Sequence, residues 1–194
     1  MRGADLEAFT PVAQAFETMG VPYHIGGSVA SSTHGVARTT LDIDVVADLP
    51  AERIDAFVDL LEDRYYVDPE AARDAVRRRS SFNLIHLETM YKIDVFVQRR
   101  RPFDLEAARR TVRVHVFGDD EPMFPVSSAE DTILAKLDWF LVGRESSQRQ
   151  WSDIVGLLRT QSLALDTAYV RRWAEELRVA DLLDRAIRDA EGDR

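Results

Sequence analysis

From Tyr23 to Val46 the chain reads YHIGGSVASSTHGVARTTLDIDVV: a short apolar run, a glycine pair with a serine, a helical turn or two, then an alternating segment. That order of strand, glycine turn, helix and strand commits the chain to a sheet whose strands are joined through helices. Asp42 and Asp44 stand at i and i+2, so a strand sends both carboxylates out of one face. Two neighbouring carboxylates repel each other and resist joint ionisation unless a cation sits between them. Gly26, Gly27 and Ser28 lie where the first strand gives way to the helix, and free backbone N–H groups there favour an anion. A phosphate cradle ahead of a metal-binding carboxylate pair points to Mg²⁺ and a nucleoside triphosphate. Each half has a plainer alternative, since a glycine pair is also a tight turn and Asp-x-Asp also a polar strand face.

The rest of the chain alternates strands with helices and then turns helical. Thr10-Pro11 reads as an N-cap with proline at the first helical position, followed by the buried stripe Val12, Phe16, Met19 and a stop at Gly20. Pro22 to Ile25 reads as a strand, Ser28 to His34 as a short helix, and Leu41 to Ala47 as a strand with a dry face and a polar face. Ile54, Phe57, Val58 and Leu61 give a helical stripe between Ala51 and Arg64, and a further helix runs from Pro69 to Arg78. Phe82–Leu87 and Tyr91–Val97 read as a hairpin, with Lys92, Asp94 and Phe96 on one face of its second strand. Thr111 to Phe117 alternates like a strand, and Gly118 to Pro125 reads as a turn-rich connection. Ser127 with Glu130 marks a capping box opening a helix to Gly143, and three more helices follow. The expected organisation is an α/β unit over 1–125 and a helical unit over 126–194 packing on it.

With 194 residues and no cysteine, the chain has neither a disulfide framework nor a thiolate site, and no apolar run reaches the length of a membrane span. Its first ten residues lack an apolar core of the secretory kind, and a cytoplasmic location is the expectation. A net charge of −9 argues against a generally polyanion-binding surface, although the arginines at 77–79, 99–101 and 109–110 allow a local basic groove as well as solvated helix ends. Of 25 Lys plus Arg only Lys92 and Lys136 are lysines, which marks them as places where a compact ammonium is needed or as chance survivors. The four histidines show no ligand spacing, and Trp139, Trp151 and Trp173 read as helix core.

Gly26-Gly27-Ser28, Asp42-x-Asp44 and Asp94 on a later strand together resemble the nucleotidyltransferase superfamily that shares its catalytic fold with DNA polymerase β. His34-Gly35, Arg38-x-Thr40-x-Asp42, Lys136 in AKLDWFLVGR and Asp153 in RQWSDIVGLL resemble more narrowly the AbiEii-like abortive-infection branch. The likeness covers most of the chain to Asp153. It departs at Trp151-Ser152-Asp153, where a Lys-Asp pair is common, and the last helices match no named motif. The resemblance implies an α/β fold, a nucleotidyltransferase-type mixed sheet flanked by helices, with a C-terminal helical bundle. It implies two Mg²⁺ ions, with Mn²⁺ as a substitute, on Asp42, Asp44 and Asp94, and Asp94 drawing the proton from the attacking hydroxyl. Gly26, Gly27, Ser28, Arg38, Thr40, Lys136 and Asp153 form the implied nucleotide-binding set. Arg38 either grips the nucleotide or holds its loop, and Asp153 faces the cleft in the family but solvent or cleft by its own helix.

The expected reaction moves a nucleoside monophosphate from an NTP to a hydroxyl, at the 3′ end of RNA such as tRNA or on a protein. The chain would then be the toxin of a toxin–antitoxin pair with a cognate antitoxin as partner. Two alternatives stand beside it: an aminoglycoside-type antibiotic nucleotidyltransferase, for which a broad acidic pocket would suit a polycation, and a nucleotide-binding module without turnover.

Overall fold

The computed structural model describes residues 2–37, 40, 42–145 and 147–192. Seven strands form one mixed sheet in the order β3-β4-β5-β2-β1-β7-β6. They are β1 (Tyr23–Ile25), β2 (Asp42–Ala47), β3 (Tyr65–Tyr66), β4 (Ser81–His86), β5 (Lys92–Val97), β6 (Val112–His115) and β7 (Met123–Val126). β2 runs parallel to β5 and antiparallel to β1, and β4 and β5 form the expected antiparallel hairpin. β2 therefore sits at the middle of the sheet, where its alternation gives buried Ile43, Val45 and Ala47 on one face and Asp42, Asp44 and Val46 on the other.

On the dry face lie α1 (Arg2–Thr18), α3 (Ile54–Asp59) and α4 (Pro69–Arg78). Phe9, Phe16 and Phe57 share one core cluster with Ile43, Val45, Ile93 and Val95. α1 starts well before the expected cap: Thr10 lies inside it with its hydroxyl donating to the Leu6 carbonyl at 2.8 Å, and Pro11 is an interior proline. An interior proline costs about 3 kcal/mol. Complete burial of Phe9 and of Ala8, which the longer helix makes possible, offsets that cost. The helix ends in a left-handed Gly20, with Val21 N–H bonding the Phe16 carbonyl and Gly20 N–H that of Glu17.

Two strands lie where none was expected. β7 occupies the end of the turn-rich stretch, pairing antiparallel with β6 and parallel with β1. It meets β1 through Val126 and the Ser127 amide, so the N–H that Pro125 lacks removes nothing from that ladder. β3 is a two-residue edge strand against β4. The helix expected over 51–64 is shorter, a 3₁₀ turn at Ala51–Arg53 leading into α3.

A second cluster joins α6 (Ala129–Val142), α7 (Gln148–Thr160), α8 (Thr167–Glu176) and α9 (Ala180–Gly192). Phe103 and Ala107 of α5 (Pro102–Arg109) belong to it as well. α2 (Gly27–Thr33) packs against β2, α6 and α7, so the polar face of the sheet meets the helical cluster there. His34 fastens this junction by donating from Nε2 to the Ser127 carbonyl at 2.7 Å. The cap of α6 is Ser128, one residue later than expected: its hydroxyl accepts from Asp131 N–H and donates to the Asp131 carboxylate. Among the described residues no helix is long and apolar enough to cross a membrane.

Candidate active site

Parallel pairing of β2 with β5 sets Asp44 beside Asp94 and Asp42 beside Lys92. Strand alternation turns all four side chains to the polar face, so three carboxylates and one ammonium form a small array on two central strands. Burial pushes the Asp44 carboxyl up to about 6, and the charges of Asp42 and Asp94 add to the rise. The Lys136 ammonium and the Ser28 backbone N–H pull the other way. Asp42 accepts from the Thr40 hydroxyl at 2.6 Å, and Asp94 Oδ2 is 2.6 Å from Lys92 Nζ. Thr40 is in turn held through its carbonyl by the Tyr91 hydroxyl.

These groups supply only oxygen donors, the chemistry that suits a hard divalent cation. A cation among them would relieve the repulsion that adds to the effect of burial on Asp44. As the side chains stand, no three His, Cys, Asp or Glu groups among the described residues converge closely enough to hold a metal. Thr40 and Lys92 occupy the oxygens that such a shell would use.

The glycine-serine turn abuts the carboxylates directly. Gly26 N–H donates to the Asp44 carbonyl at 2.9 Å, and Gly27 takes a left-handed φ of 57°. A Cβ on Gly27 would lie 1.7 Å from Asp44 Oδ2. Only glycine lets the first turn of α2 come this close. Ser28 is buried, and its N–H bonds the Asp44 carboxylate.

Lys136 and Asp153 come together from α6 and α7, Nζ to Oδ2 at 2.9 Å, both buried. Asp153 thus faces α6, and Lys136 lies near enough for its charge to act on Asp44. Arg38 lies outside the described residues.

Gly26, Gly27, Ser28, Asp44 and Lys136 line one cleft of about 870 Å³ between the sheet and the helices. Asp42, Asp94, Thr40 and Asp153 do not line it. Its lining includes residues that the sequence did not single out. Arg101 clamps two of its carboxylates, Asp104 at 2.9 Å and Asp138 at 2.8 Å. The third, Asp131, accepts from Ser128 and from the Tyr169 hydroxyl at 2.7 Å, and burial pushes its carboxyl up. Acids set inside the apolar run of α6 were the available signal, because a buried carboxylate needs a partner. Trp139, expected in the core, is 40% exposed and lines the cleft, with the Arg99 guanidinium 4.7 Å from its ring and Phe96 edge-on.

No family model matches the chain, and no curated protein matches it. Solved structures do. The solution structure of the antibiotic-resistance factor ANT(2″)-Ia aligns over 100% of this chain and 99% of its own, at 15% identity and a TM-score of 0.55. The crystal structure of ANT(2″)-Ia with adenylyl-2″-tobramycin aligns over 90% and 97%, at 14% identity and a TM-score of 0.59. An antigenic nucleotidyltransferase-like protein from Paracoccidioides brasiliensis aligns over 91% and 88%, at 14% identity and a TM-score of 0.56. At such identities the likeness is one of architecture: this chain is built on the nucleotidyltransferase fold.

Proposed function

We propose that the protein is a divalent-metal-dependent nucleotidyltransferase that moves a nucleoside monophosphate from an NTP to a hydroxyl acceptor. The observation that carries this reading is Asp44, pressed between Asp42, Asp94 and the glycine turn, its carboxyl raised by burial and further by two like charges in the cleft of a nucleotidyltransferase fold. Mg²⁺ or Mn²⁺ held by the three aspartates supplies the charge that draws the triphosphate in and offsets the charge developing in transfer. The chain's own groups do the rest. The Gly26 and Ser28 amides already bond Asp44, so the turn takes the outgoing phosphates through the Gly27 N–H and the Ser28 hydroxyl, and the Lys136 ammonium adds positive charge from the helical side. Asp94 accepts the proton as the acceptor oxygen bonds to the α-phosphorus and the bond to pyrophosphate breaks.

Within this reading the acceptor is anionic, the 3′ end of an RNA, in keeping with the AbiEii-like resemblance and with a toxin held by a cognate antitoxin. Three cleft carboxylates, Asp104, Asp131 and Asp138, are already committed to Arg101, Ser128 and Tyr169. Arg99 and Arg149 line the cleft with no carboxylate partner among the described residues, Arg99 lying against the exposed Trp139 ring. Arginines without a carboxylate partner and a partly exposed indole suit a nucleic-acid strand better than a polycation. The antibiotic reading rests instead on ANT(2″)-Ia, whose complex holds adenylyl-2″-tobramycin. Incubation with each α-labelled NTP, Mg²⁺ and total RNA, cell protein or aminoglycosides tests both. Label is expected in RNA and lost with a chelator. Label in tobramycin would establish the antibiotic reading, and NTP binding with label nowhere would establish a binding module.

A further inference from the structure

Lys92 stands where a bound cation would stand. β5 carries it to the same face as Asp94, and the register with β2 sets it directly beside Asp42. Its ammonium contacts Asp94 at 2.6 Å and lies in the field of Asp42 and Asp44 as well. Lys136 acts on Asp44 from the helical side, and Lys92 brings positive charge from the sheet to carboxylates that would otherwise repel one another. Resting on the metal reading above, we propose that Lys92 is an internal counter-ion that holds the metal-free site together and must leave before a divalent cation can bind.

Two features suit Lys92 to being displaced. Its side chain is 41% exposed and that of Asp94 21%, against 9% and 5% for Lys136 and Asp153. Water screens the outer pair and leaves it weak, whereas the inner pair is closed. The residue is also a lysine in a chain that otherwise uses arginine, 23 of 25 basic residues. An arginine fork would clamp a carboxylate through two bonds, while a point charge on a flexible stem lets go of one oxygen and swings to solvent. A divalent cation brings twice the charge to the same oxygens. An ammonium left beside it would be repelled, so the two occupants exclude each other. The arrangement keeps Asp42, Asp44 and Asp94 assembled without metal and makes loading an exchange. Lys92 is here a positioning residue, acting through the carboxylates.

The test needs neither nucleotide nor turnover. Mn²⁺ uptake is followed by the electron paramagnetic resonance of free Mn²⁺, for the wild type and for Lys92→Met, which keeps the stem and removes the charge. The variant is expected to bind Mn²⁺ at least tenfold more tightly. In parallel the wild type is treated with an acetylating reagent, and its two lysines are quantified by mass spectrometry with and without Mn²⁺. Release of Lys92 predicts a several-fold rise in its modification on Mn²⁺ addition, with Lys136 unchanged as internal reference. Equal Mn²⁺ affinity in both proteins, or saturation without any change in Lys92 reactivity, would overturn the displacement and leave the metal reading standing. Failure of both proteins to take up Mn²⁺ would overturn the two together.

Discussion

At Gly27 the backbone and a carboxylate share a space with room for a hydrogen and nothing larger. Gly27→Ala would set a methyl group against Asp44 Oδ2 and hold a non-glycine residue at positive φ. Left-handed strain of 1–2 kcal/mol and overpacking of 1–3 kcal/mol predict a loss of about 2–5 kcal/mol, read as a lower urea midpoint. An unchanged midpoint would mean that α2 does not press on β2 in solution. Asp44 makes a second, pH-dependent prediction. Its folded pKa of about 6 lies above the ordinary 3.8 of an aspartate, so the fold binds this proton more tightly than the open chain does. The contribution is full below about pH 4 and is lost as pH rises through about 6, roughly 3 kcal/mol for two pH units. Buried His24, pushed down to about 4, works in the opposite sense over the same range. The informative quantity is therefore the difference between wild type and Asp44→Asn in chelator. The variant is expected to gain relative stability from pH 4 to 7.5, and a flat difference would refute the crowded carboxylate.

The ion pair between α6 and α7 belongs to the scale of elements. Removing one partner of a buried pair strands the other charge, so Asp153→Ala is expected to cost about 3–5 kcal/mol. Lys136→Met combined with Asp153→Leu should recover much of this in urea unfolding, because it removes both charges. A double variant no more stable than Asp153→Ala would show that the pair does not couple the helices. The stripe that begins at Ile54 and the alternation of Asp42–Ala47 are local, and each forms the element its period carries, although the helix expected over 51–64 ends at Asp59. Elements set by distant partners were not legible. β7 exists because β6 and β1 flank it, although Pro125 argues for a turn, and α1 runs through Pro11 because the core has a place for Phe9. The site divides in the same way. Asp42, Asp44 and Asp94 are visible as same-face acids, whereas Lys92 opposite Asp42 depends on strand register, and the exposure of Trp139 on how α6 meets β5.

Taken whole, the molecule closes a polar sheet face with a helical layer and leaves a cleft between them. A chain of net charge −9 lines that cleft with arginines whose acidic neighbours are already engaged, an acidic protein with a locally basic mouth. Trp139→Ala removes the exposed indole that lines this cleft. Stacking is worth about 1–3 kcal/mol per base, so RNA affinity should fall by about 5–150-fold while NTP affinity holds. Equal loss of both would assign the ring to the nucleotide instead. The most direct measurement is transfer of α-labelled nucleotide by the wild type and by the combined Asp42→Asn and Asp44→Asn variant, at matched folding by circular dichroism. Label transfer is expected from the wild type with divalent metal and none from the folded variant; undiminished transfer by that variant would rule out Asp42 and Asp44 as the metal-holding carboxylates.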